Sequence, residues 1–284
     1  MNRQTLIDAR ALNDLARTDD ILIVDCRFSL ADPDGGARDY AQGHIPGAVY
    51  ADLNRDLSDL SRLGAGRHPL PDAWAFSALL GRLGWKPGMQ VVAYDAANGA
   101  IAAARLWWML RLVGERNVAV LDGGLKAWTD AGFGLSAESV HRRATLVSVQ
   151  FDAGQIVDSA QLEHLLKNPA VLLIDARAAE RFRGDVEPLD PVAGHVPRAR
   201  NRPFSENLDA DGRFKPARQL RDEFQAVLGD HAADDTVHMC GSGVTACHNL
   251  LAMEHAGLVG SRIFAPSWSG WIADASRPVA RGPS

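Results

Sequence analysis

The stretch Val171-Leu-Leu-Ile-Asp175-Ala-Arg177 is a short apolar run that ends in an acid and a base. The same pattern stands earlier in the chain as Ile21-Leu-Ile-Val-Asp25-Cys-Arg27. Runs of this kind are typical of strands buried on both faces of a parallel sheet. A more specific pair follows them, since Gly43-His-Ile-Pro46 matches Gly194-His-Val-Pro197. The ordered matches indicate an internal duplication of one α/β unit.

Two further correspondences extend the duplication towards the end of each half. Val91-Val-Ala-Tyr-Asp95 matches Thr236-Val-His-Met-Cys240, and Trp128 matches Trp271. The first of these pairs places an aspartate in one half where the other half has a cysteine. The two copies therefore differ at a strand end, which is where parallel sheets place reactive groups.

Strands alternate with amphipathic helices in both halves, which predicts parallel sheets with helices on both faces. Asp8 and Asp158 are placed to cap helices, because a short side-chain oxygen accepts the free N–H groups there. The stretches 31–43 and 52–71 are predicted to be long loops, a type that often carries function. The predicted strands are 21–25, 91–95, 118–122, 171–175, 236–240 and 263–265. The predicted helices are 100–113, 125–131, 245–256 and 268–275.

Composition agrees with an ordinary globular protein of two domains. The chain has 284 residues, 46% hydrophobic and 23% charged, with a net charge of -5. These values disfavour disorder and a general nucleic-acid surface. We expect a domain over 1–140, a linker over 141–155 and a second domain over 156–284. The start of the chain has no signal-peptide pattern and no apolar run is long enough for a membrane span, so we expect a cytoplasmic protein without a membrane partner.

The loop after the strand 236–240 carries the strongest chemical signal. Cys240 is followed by Gly241-Ser-Gly-Val-Thr-Ala246 and then by a predicted helix. Glycines let the backbone curl so that successive N–H groups form an anion nest, and the helix N-terminus adds positive charge. Such a cradle favours a reactive thiolate and would stabilise a persulfide anion. The remaining cysteines, Cys26 and Cys247, are interpreted as buried and inert, and three cysteines are too few for a disulfide framework.

This loop resembles the active-site loop of the mercaptopyruvate sulfurtransferases, the tandem-domain branch of the rhodanese superfamily. The paired Gly-His-x-Pro motifs, Leu121-Asp-Gly-Gly-Leu-Lys-Ala-Trp128 and Trp107-Trp-Met-Leu110 preceded by Arg105 are similar too. The resemblance implies two rhodanese-like domains, the first without a catalytic cysteine. Asp95 agrees, since a carboxylate cannot replace the sulfur nucleophile.

The resemblance also implies the reaction. Cys240 takes the sulfane sulfur of 3-mercaptopyruvate as a persulfide and passes it to a thiol, such as thioredoxin or a low-molecular-weight thiol, or to cyanide. No cofactor and no metal are expected. Thiosulfate is the less favoured donor, because Gly241 and Ser242 add no positive charge beside the cysteine. The loop residues expected to bind substrate are Gly241, Gly243, Val244 and Thr245.

Further roles are implied residue by residue. Arg181 stands where the family holds the anionic end of the donor, and a guanidinium can do this bidentately. His44 is expected to act with Ser242 as a relay to the cysteine, whereas its twin His195 is expected to be structural. The family's second substrate arginine follows a Glu-Pro pair, but Glu187-Pro188 is followed here by Leu189 and Asp190. The arginines that could replace it are Arg183, Arg198, Arg200 and Arg202.

Other classes fit less well. A dinucleotide site would need an acid after the next strand, and a Cys-x5-Arg phosphatase would need arginine at Ala246. A metal site built from His238, Cys240, Cys247 and His248 has no trusted spacing. A thiosulfate sulfurtransferase and a non-enzymatic sulfur-carrier or interaction module with the same fold remain as alternatives.

Overall fold

The computed structural model describes residues 4–17 and 21–283. They divide into two compact units. The first contains the residues up to Asp59, Pro71–Asp152 and Asp211–Arg213, and the second contains Leu60–Leu70, Ala153–Ala210 and the residues from Phe214 onward. The segment Leu60–Leu70 thus belongs to the second unit although it lies in the first half of the chain.

The first unit is a parallel sheet flanked by helices. Its strands run in the order β1-β5-β4-β2-β3, and each neighbouring pair is parallel. The strands are β1 Leu6–Ile7, β2 Ile21–Asp25, β3 Val49–Tyr50, β4 Gln90–Tyr94 and β5 Val118–Leu121. The helices are α1 Ala9–Leu15, α2 Gly35–Gln42, α3 Ala73–Arg82, α4 Ala103–Leu112 and α5 Gly124–Asp130.

The second unit repeats this architecture. Its strand order β6-β10-β9-β7-β8 is the same path through a parallel sheet. The strands are β6 Ile156–Val157, β7 Leu172–Asp175, β8 Arg200–Asn201, β9 Thr236–Met239 and β10 Arg262–Phe264. The helices are α6 Ser159–Leu165, α7 Ala179–Arg183, α8 Ala217–Leu228, α9 Ala246–His255 and α10 Ser267–Trp271, with short 3-10 turns at Ala153–Gln155 and Phe204–Asn207.

The duplication and the α/β class are confirmed, and so are both helix caps. Asp8 accepts from the Ala11 N–H at 2.9 Å, and Asp158 accepts from Gln161 at 2.8 Å. The prediction of a loop over 31–43 is wrong, because α2 lies within it. A Cβ at Gly36 would come within 1.9 Å of the Arg27 carbonyl oxygen, so this glycine permits close packing of a helix rather than a turn.

The stretch 132–155 lacks regular secondary structure apart from its last turn, but part of it packs closely on the first unit. The Thr145 N–H donates to the Gly81 carbonyl at 3.0 Å, and the Val149 N–H donates to Ser77 Oγ at 3.1 Å. The Phe151 ring packs at a tilt against Phe76, with ring centroids 5.5 Å apart. These contacts tie the connecting segment to α3 over several residues.

A buried ion pair explains why Asp-x-Arg and Gly-His-x-Pro recur together. In the first unit Arg27 Nη2 lies 2.7 Å from Asp25 Oδ2 and donates to the Gly43 carbonyl at 2.7 Å. The second unit has the same two contacts at the same distances, since Arg177 pairs with Asp175 and donates to the Gly194 carbonyl. Each pair therefore fastens the turn before the histidine to the end of a central strand.

We expect Asp25→Asn to destabilise the protein by about 3–5 kcal/mol, because it leaves the buried Arg27 cation without its counter-ion. The exposed pair of Lys126 and Asp130 provides a control, and Asp130→Asn should cost no more than about 0.5 kcal/mol. Urea unfolding followed by circular dichroism measures both. Equal effects of the two substitutions would show that the Asp-x-Arg pair has no structural importance.

Candidate active site

Cys240 lies directly after β9, in the loop that leads into α9. The residue is buried, with 1% of its surface exposed. Its N–H donates to Ser267 Oγ at 3.1 Å, and its carbonyl accepts from the Trp268 N–H at 2.9 Å. The start of α10 therefore holds the backbone of the cysteine on both sides.

The loop after Cys240 is tight because of its glycines. Gly243 has a φ of 76°, in the left-handed region that favours glycine. The Gly241 carbonyl accepts from the Ser269 N–H at 2.9 Å, which ties the loop to α10 as well. Cys247 is turned inward, with its Sγ 3.4 Å from the Gly243 carbonyl oxygen. The loop thus presents Cys240 and encloses the neighbouring thiol.

The matching loop in the first unit shows what this position of the fold binds. Asp95 follows β4 as Cys240 follows β9, and its carboxylate accepts five backbone N–H groups at 2.8–3.2 Å. The donors belong to Ala97, Gly99, Ile101, Ala102 and Ala103. An anionic side chain at the strand end is therefore stabilised by the loop and the first turn of the next helix.

Two guanidinium groups border the loop of Cys240. A Cβ at Gly241 would lie 3.3 Å from Arg67 Nη2 and 3.7 Å from Arg181 Nη1. The missing side chain of Gly241 therefore leaves room for both cations beside the cysteine. Arg181 was expected from the sequence, whereas Arg67 comes from the segment Leu60–Leu70 and was not. Its signal was the length of the loop 52–71, which is confirmed as a segment without helix or strand.

Two buried carboxylates hold these arginines. Arg181 Nη2 lies 2.6 Å from Glu187 Oε1 and 3.2 Å from Asp190 Oδ2, and Arg67 Nη1 lies 2.6 Å from Asp190 Oδ1. Burial raises the pKa of Glu187, but hydrogen bonds from Arg181 and from the Leu189 N–H outweigh it and lower that pKa below its ordinary value. Glu187 is therefore ionised at neutral pH.

Arg177 connects this cluster to the cysteine loop. Its guanidinium lies 4.6 Å from the centre of the Trp268 ring, and its Nη1 lies 3.3 Å from Glu187 Oε2. The backbone N–H of the same Trp268 donates to the Cys240 carbonyl. Burial lowers the pKa of Arg177, but the negative charges of Asp175, Glu187 and Cys240 raise it overall. Arg177 is therefore a permanent cation in the interior of the second unit.

Ser242 has a different histidine partner from the expected one. Its Oγ lies 2.8 Å from Nδ1 of His68, a buried histidine of the same unit. His44, the expected partner, has its Nδ1 2.8 Å from the Tyr40 carbonyl oxygen and its ring stacked on Tyr40. The hydrogen-bond partner of Ser242 is therefore His68, a histidine for which the sequence suggested no role.

The environment of His44 is repeated at its twin. His195 Nδ1 lies 2.8 Å from the Phe182 carbonyl oxygen, and the ring stacks on Phe182. Both histidines also form an isolated antiparallel bridge, His44 with Ser136 and His195 with Ala280. Since His195 was expected to be structural, the shared environment supports the same role for His44.

The four arginines considered as a second substrate arginine all bond elsewhere. Arg183 pairs with Asp185 on the surface, and Arg202 pairs with Glu206 and Glu223. Backbone carbonyls occupy the other two, as Arg198 donates to Leu166 and Arg200 to Val227 and Leu228. Arg67 is instead the second arginine that lies beside Gly241.

The residues considered for a metal site do not assemble into one. Among residues 4–17 and 21–283, no group of three or more His, Cys, Asp or Glu side chains is placed to hold a metal ion. His248 stacks on Phe214 and contacts Asn207. Burial raises the pKa of the Cys26 thiol well above its ordinary value, and the Asp25, Asp95 and Asp56 carboxylates raise it further, which makes this thiol a poor nucleophile.

These features make Cys240 and its loop the candidate active site of a duplicated α/β protein, and comparisons with known proteins identify its family. Residues 8–131 and 158–274 each match the rhodanese-like domain. The chain therefore belongs to the rhodanese family, with two such domains.

Similar proteins are sulfurtransferases by name. The chain is 48% identical to a probable 3-mercaptopyruvate sulfurtransferase of Pseudomonas aeruginosa, over 99% of this chain and 100% of that protein. It is 42% identical to a putative thiosulfate sulfurtransferase of Mycobacterium tuberculosis, over 98% of each. The solved 3-mercaptopyruvate sulfurtransferase of Leishmania major is 31% identical, with a TM-score of 0.82 over 94% of this chain and 73% of that one.

The part of the chain that the structure describes contains no helix both long enough and apolar enough to span a bilayer.

We expect the buried His238 to make the protein acid-sensitive. Burial lowers the pKa of His238 to about 3. In the unfolded chain this histidine has an ordinary pKa of about 6.5, so below that pH the unfolded chain binds a proton that the folded chain does not. The free energy of unfolding therefore falls as the pH decreases from 6.5 towards 3, by about 1.4 kcal/mol per pH unit. His238→Leu should flatten this slope in urea unfolding at pH 7, 6 and 5. His231→Leu, at a surface position, serves as the control, and an unchanged slope in His238→Leu would contradict the expectation.

Proposed function

We propose that this rhodanese-family protein is a sulfurtransferase that takes sulfur from 3-mercaptopyruvate onto Cys240 and passes it to a thiol. The observation that supports this proposal most strongly is the loop Cys240–Thr245. It has a cysteine at a strand end, and the guanidinium groups of Arg67 and Arg181 lie beside its Gly241. A soft nucleophile beside two cations is suited to a donor that has both a transferable sulfur and a carboxylate.

In the first step the Cys240 thiolate attacks the donor sulfur. A sulfur–sulfur bond forms, the carbon–sulfur bond of 3-mercaptopyruvate breaks, and its electron pair leaves with the carbon as pyruvate enolate. Arg181 and Arg67 hold the donor carboxylate in this step. The persulfide anion on Cys240 then lies where Asp95 places its carboxylate in the other unit, so Gly241, Gly243, Val244 and Thr245 are proposed to stabilise it through the loop.

In the second step the enolate carbon must gain a proton to become pyruvate. We propose that Ser242 and His68 supply it, because their hydrogen bond of 2.8 Å joins a hydroxyl in the cysteine loop to an imidazole, which can both donate and accept a proton. We therefore assign to His68 the relay role that the sequence suggested for His44.

In the last step an acceptor thiolate attacks the outer sulfur of the persulfide and regenerates Cys240. Thioredoxin, a low-molecular-weight thiol or cyanide would serve, since exchange at sulfur needs only a soft nucleophile with access. All three cysteines of the chain are free, which suits a reducing compartment such as the cytoplasm.

The charge of the site favours 3-mercaptopyruvate over thiosulfate. Gly241 and Ser242 contribute no cation, and Glu187 and Asp190 already balance the two guanidinium groups. The net charge of this cluster is therefore close to zero. Such a cluster can bind a singly charged carboxylate, whereas the binding of a dianion needs a net positive charge. Thiosulfate sulfur transfer, the activity in the name of the mycobacterial relative, is the second candidate.

The proposed function is tested by kcat/KM for both donors, with cyanide as common acceptor at the same pH and ionic strength. We expect the value for 3-mercaptopyruvate to exceed that for thiosulfate by at least about tenfold. A thiosulfate value equal to or above it would assign the protein to the second candidate function, and no transfer from either donor would leave a sulfur-carrier module.

We expect His68→Gln to lower kcat with 3-mercaptopyruvate by about 10²-fold, since the enolate loses its proton relay. Turnover of thiosulfate should change much less, because sulfite leaves without protonation at carbon. His231→Gln, at a partly exposed histidine of the same unit, is the control. A larger loss in His44→Gln than in His68→Gln, at equal stability, would return the relay role to His44.

A further inference from the structure

Asp190 joins both arginines that border the cysteine loop. Its Oδ1 accepts from Arg67 Nη1 at 2.6 Å, and its Oδ2 accepts from Arg181 Nη2 at 3.2 Å. The side chain is 3% exposed, so water screens this carboxylate little. A buried negative charge is therefore built into the group that would hold the anionic end of a donor.

The second carboxylate of the cluster has a different position. Glu187 pairs with Arg181 and with Arg177, at 2.6 Å and 3.3 Å, and accepts the Leu189 N–H at 3.1 Å. Its contacts organise the interior of the second unit behind Arg181. Asp190 instead bridges the two guanidinium groups that lie against Gly241, so its charge acts at the place where the donor would bind.

We propose that Asp190 is a specificity-determining residue that selects singly charged sulfur donors against doubly charged ones. This inference rests on the proposed function, because it concerns the donor of the same site. Asp190 has two effects, since it aligns Arg67 with Arg181 and it removes one positive charge from the pair.

The two effects can be separated because they depend differently on the donor. Alignment of the arginines serves the carboxylate of 3-mercaptopyruvate and the sulfonate end of thiosulfate alike. The field of Asp190 opposes each donor in proportion to its charge, so it opposes the thiosulfate dianion about twice as strongly as a monoanion. The ratio of kcat/KM for the two donors therefore reports the charge of Asp190, whereas the absolute values report both effects.

The same reasoning gives the opposite sign for Arg67. Loss of its cation weakens the binding of a dianion more than that of a monoanion. When the charges of Asp190 and Arg67 are both removed, the net charge of the cluster stays as it is in the natural protein. A charge-based selectivity thus predicts that the two single substitutions shift the ratio in opposite directions and that the double substitution restores it.

The experiment measures kcat/KM for thiosulfate and for 3-mercaptopyruvate, with cyanide as acceptor, in the full-length protein. We expect Asp190→Asn to raise the ratio of thiosulfate to 3-mercaptopyruvate by about tenfold and Arg67→Gln to lower it, with the double variant near the natural ratio. Asp190→Glu keeps the charge and should keep the ratio. The shift should shrink at high salt.

Asp185→Asn is the matched control, because Asp185 pairs with Arg183 at 2.8 Å on the surface of the same unit and should leave the ratio unchanged. An unchanged or lowered ratio in Asp190→Asn would overturn the proposal, as would a shift as large in Asp185→Asn. If Asp190→Asn does not fold, Arg67→Gln decides alone, and an unchanged ratio there has the same meaning. Failure of the proposed function looks different, because it appears in the natural protein itself, as a ratio of one or more or as no transfer from either donor, whereas failure of this inference appears in how the variants change the ratio.

Discussion

The second unit depends on the contacts that the buried guanidinium group of Arg177 makes. This group pairs with Asp175 at the end of β7, donates to the Gly194 carbonyl before the Gly-His-x-Pro turn, and lies over the Trp268 ring. It also contacts Glu187, which holds Arg181. One buried cation thus connects a strand end, a turn, the helix that supports the cysteine loop and, through Glu187, the arginine that we propose to bind the donor. A buried cation is stable only when such partners are complete, which explains why its sequence context recurs in both halves.

The two units share the same α/β fold but differ in the residue at the end of the matching strand. In the first unit the strand end carries Asp95, whose carboxylate uses up the N–H groups of its loop. In the second unit Cys240 stands there, and its thiolate and persulfide are the anions that we propose for this position. The first half of the chain also contributes residues to the proposed site, since the segment Leu60–Leu70 belongs to the second unit and contains Arg67 and His68.

Local sequence signals predicted much of this molecule. Strand runs ending in Asp, the caps Asp8 and Asp158, and the strand–loop–helix around Cys240 all depend on residues near one another in the chain. α8 was missed although Leu220, Phe224 and Leu228 recur at helical spacing, so its signal was present. The contacts between residues of the candidate site were harder to predict. His68 and Ser242 lie 174 residues apart, and Arg67 and Asp190 lie 123 apart, so local patterns do not contain these contacts.

We propose that Cys240, and not another thiol, carries the transferred sulfur. The most direct test is the mass of the cysteine peptides after the protein has reacted with 3-mercaptopyruvate in the absence of an acceptor. We expect one additional sulfur atom, located on the peptide that contains Cys240 and removed by later addition of cyanide. An additional sulfur on Cys26 or Cys247, or its persistence in Cys240→Ser, would show that Cys240 is not the sulfur carrier.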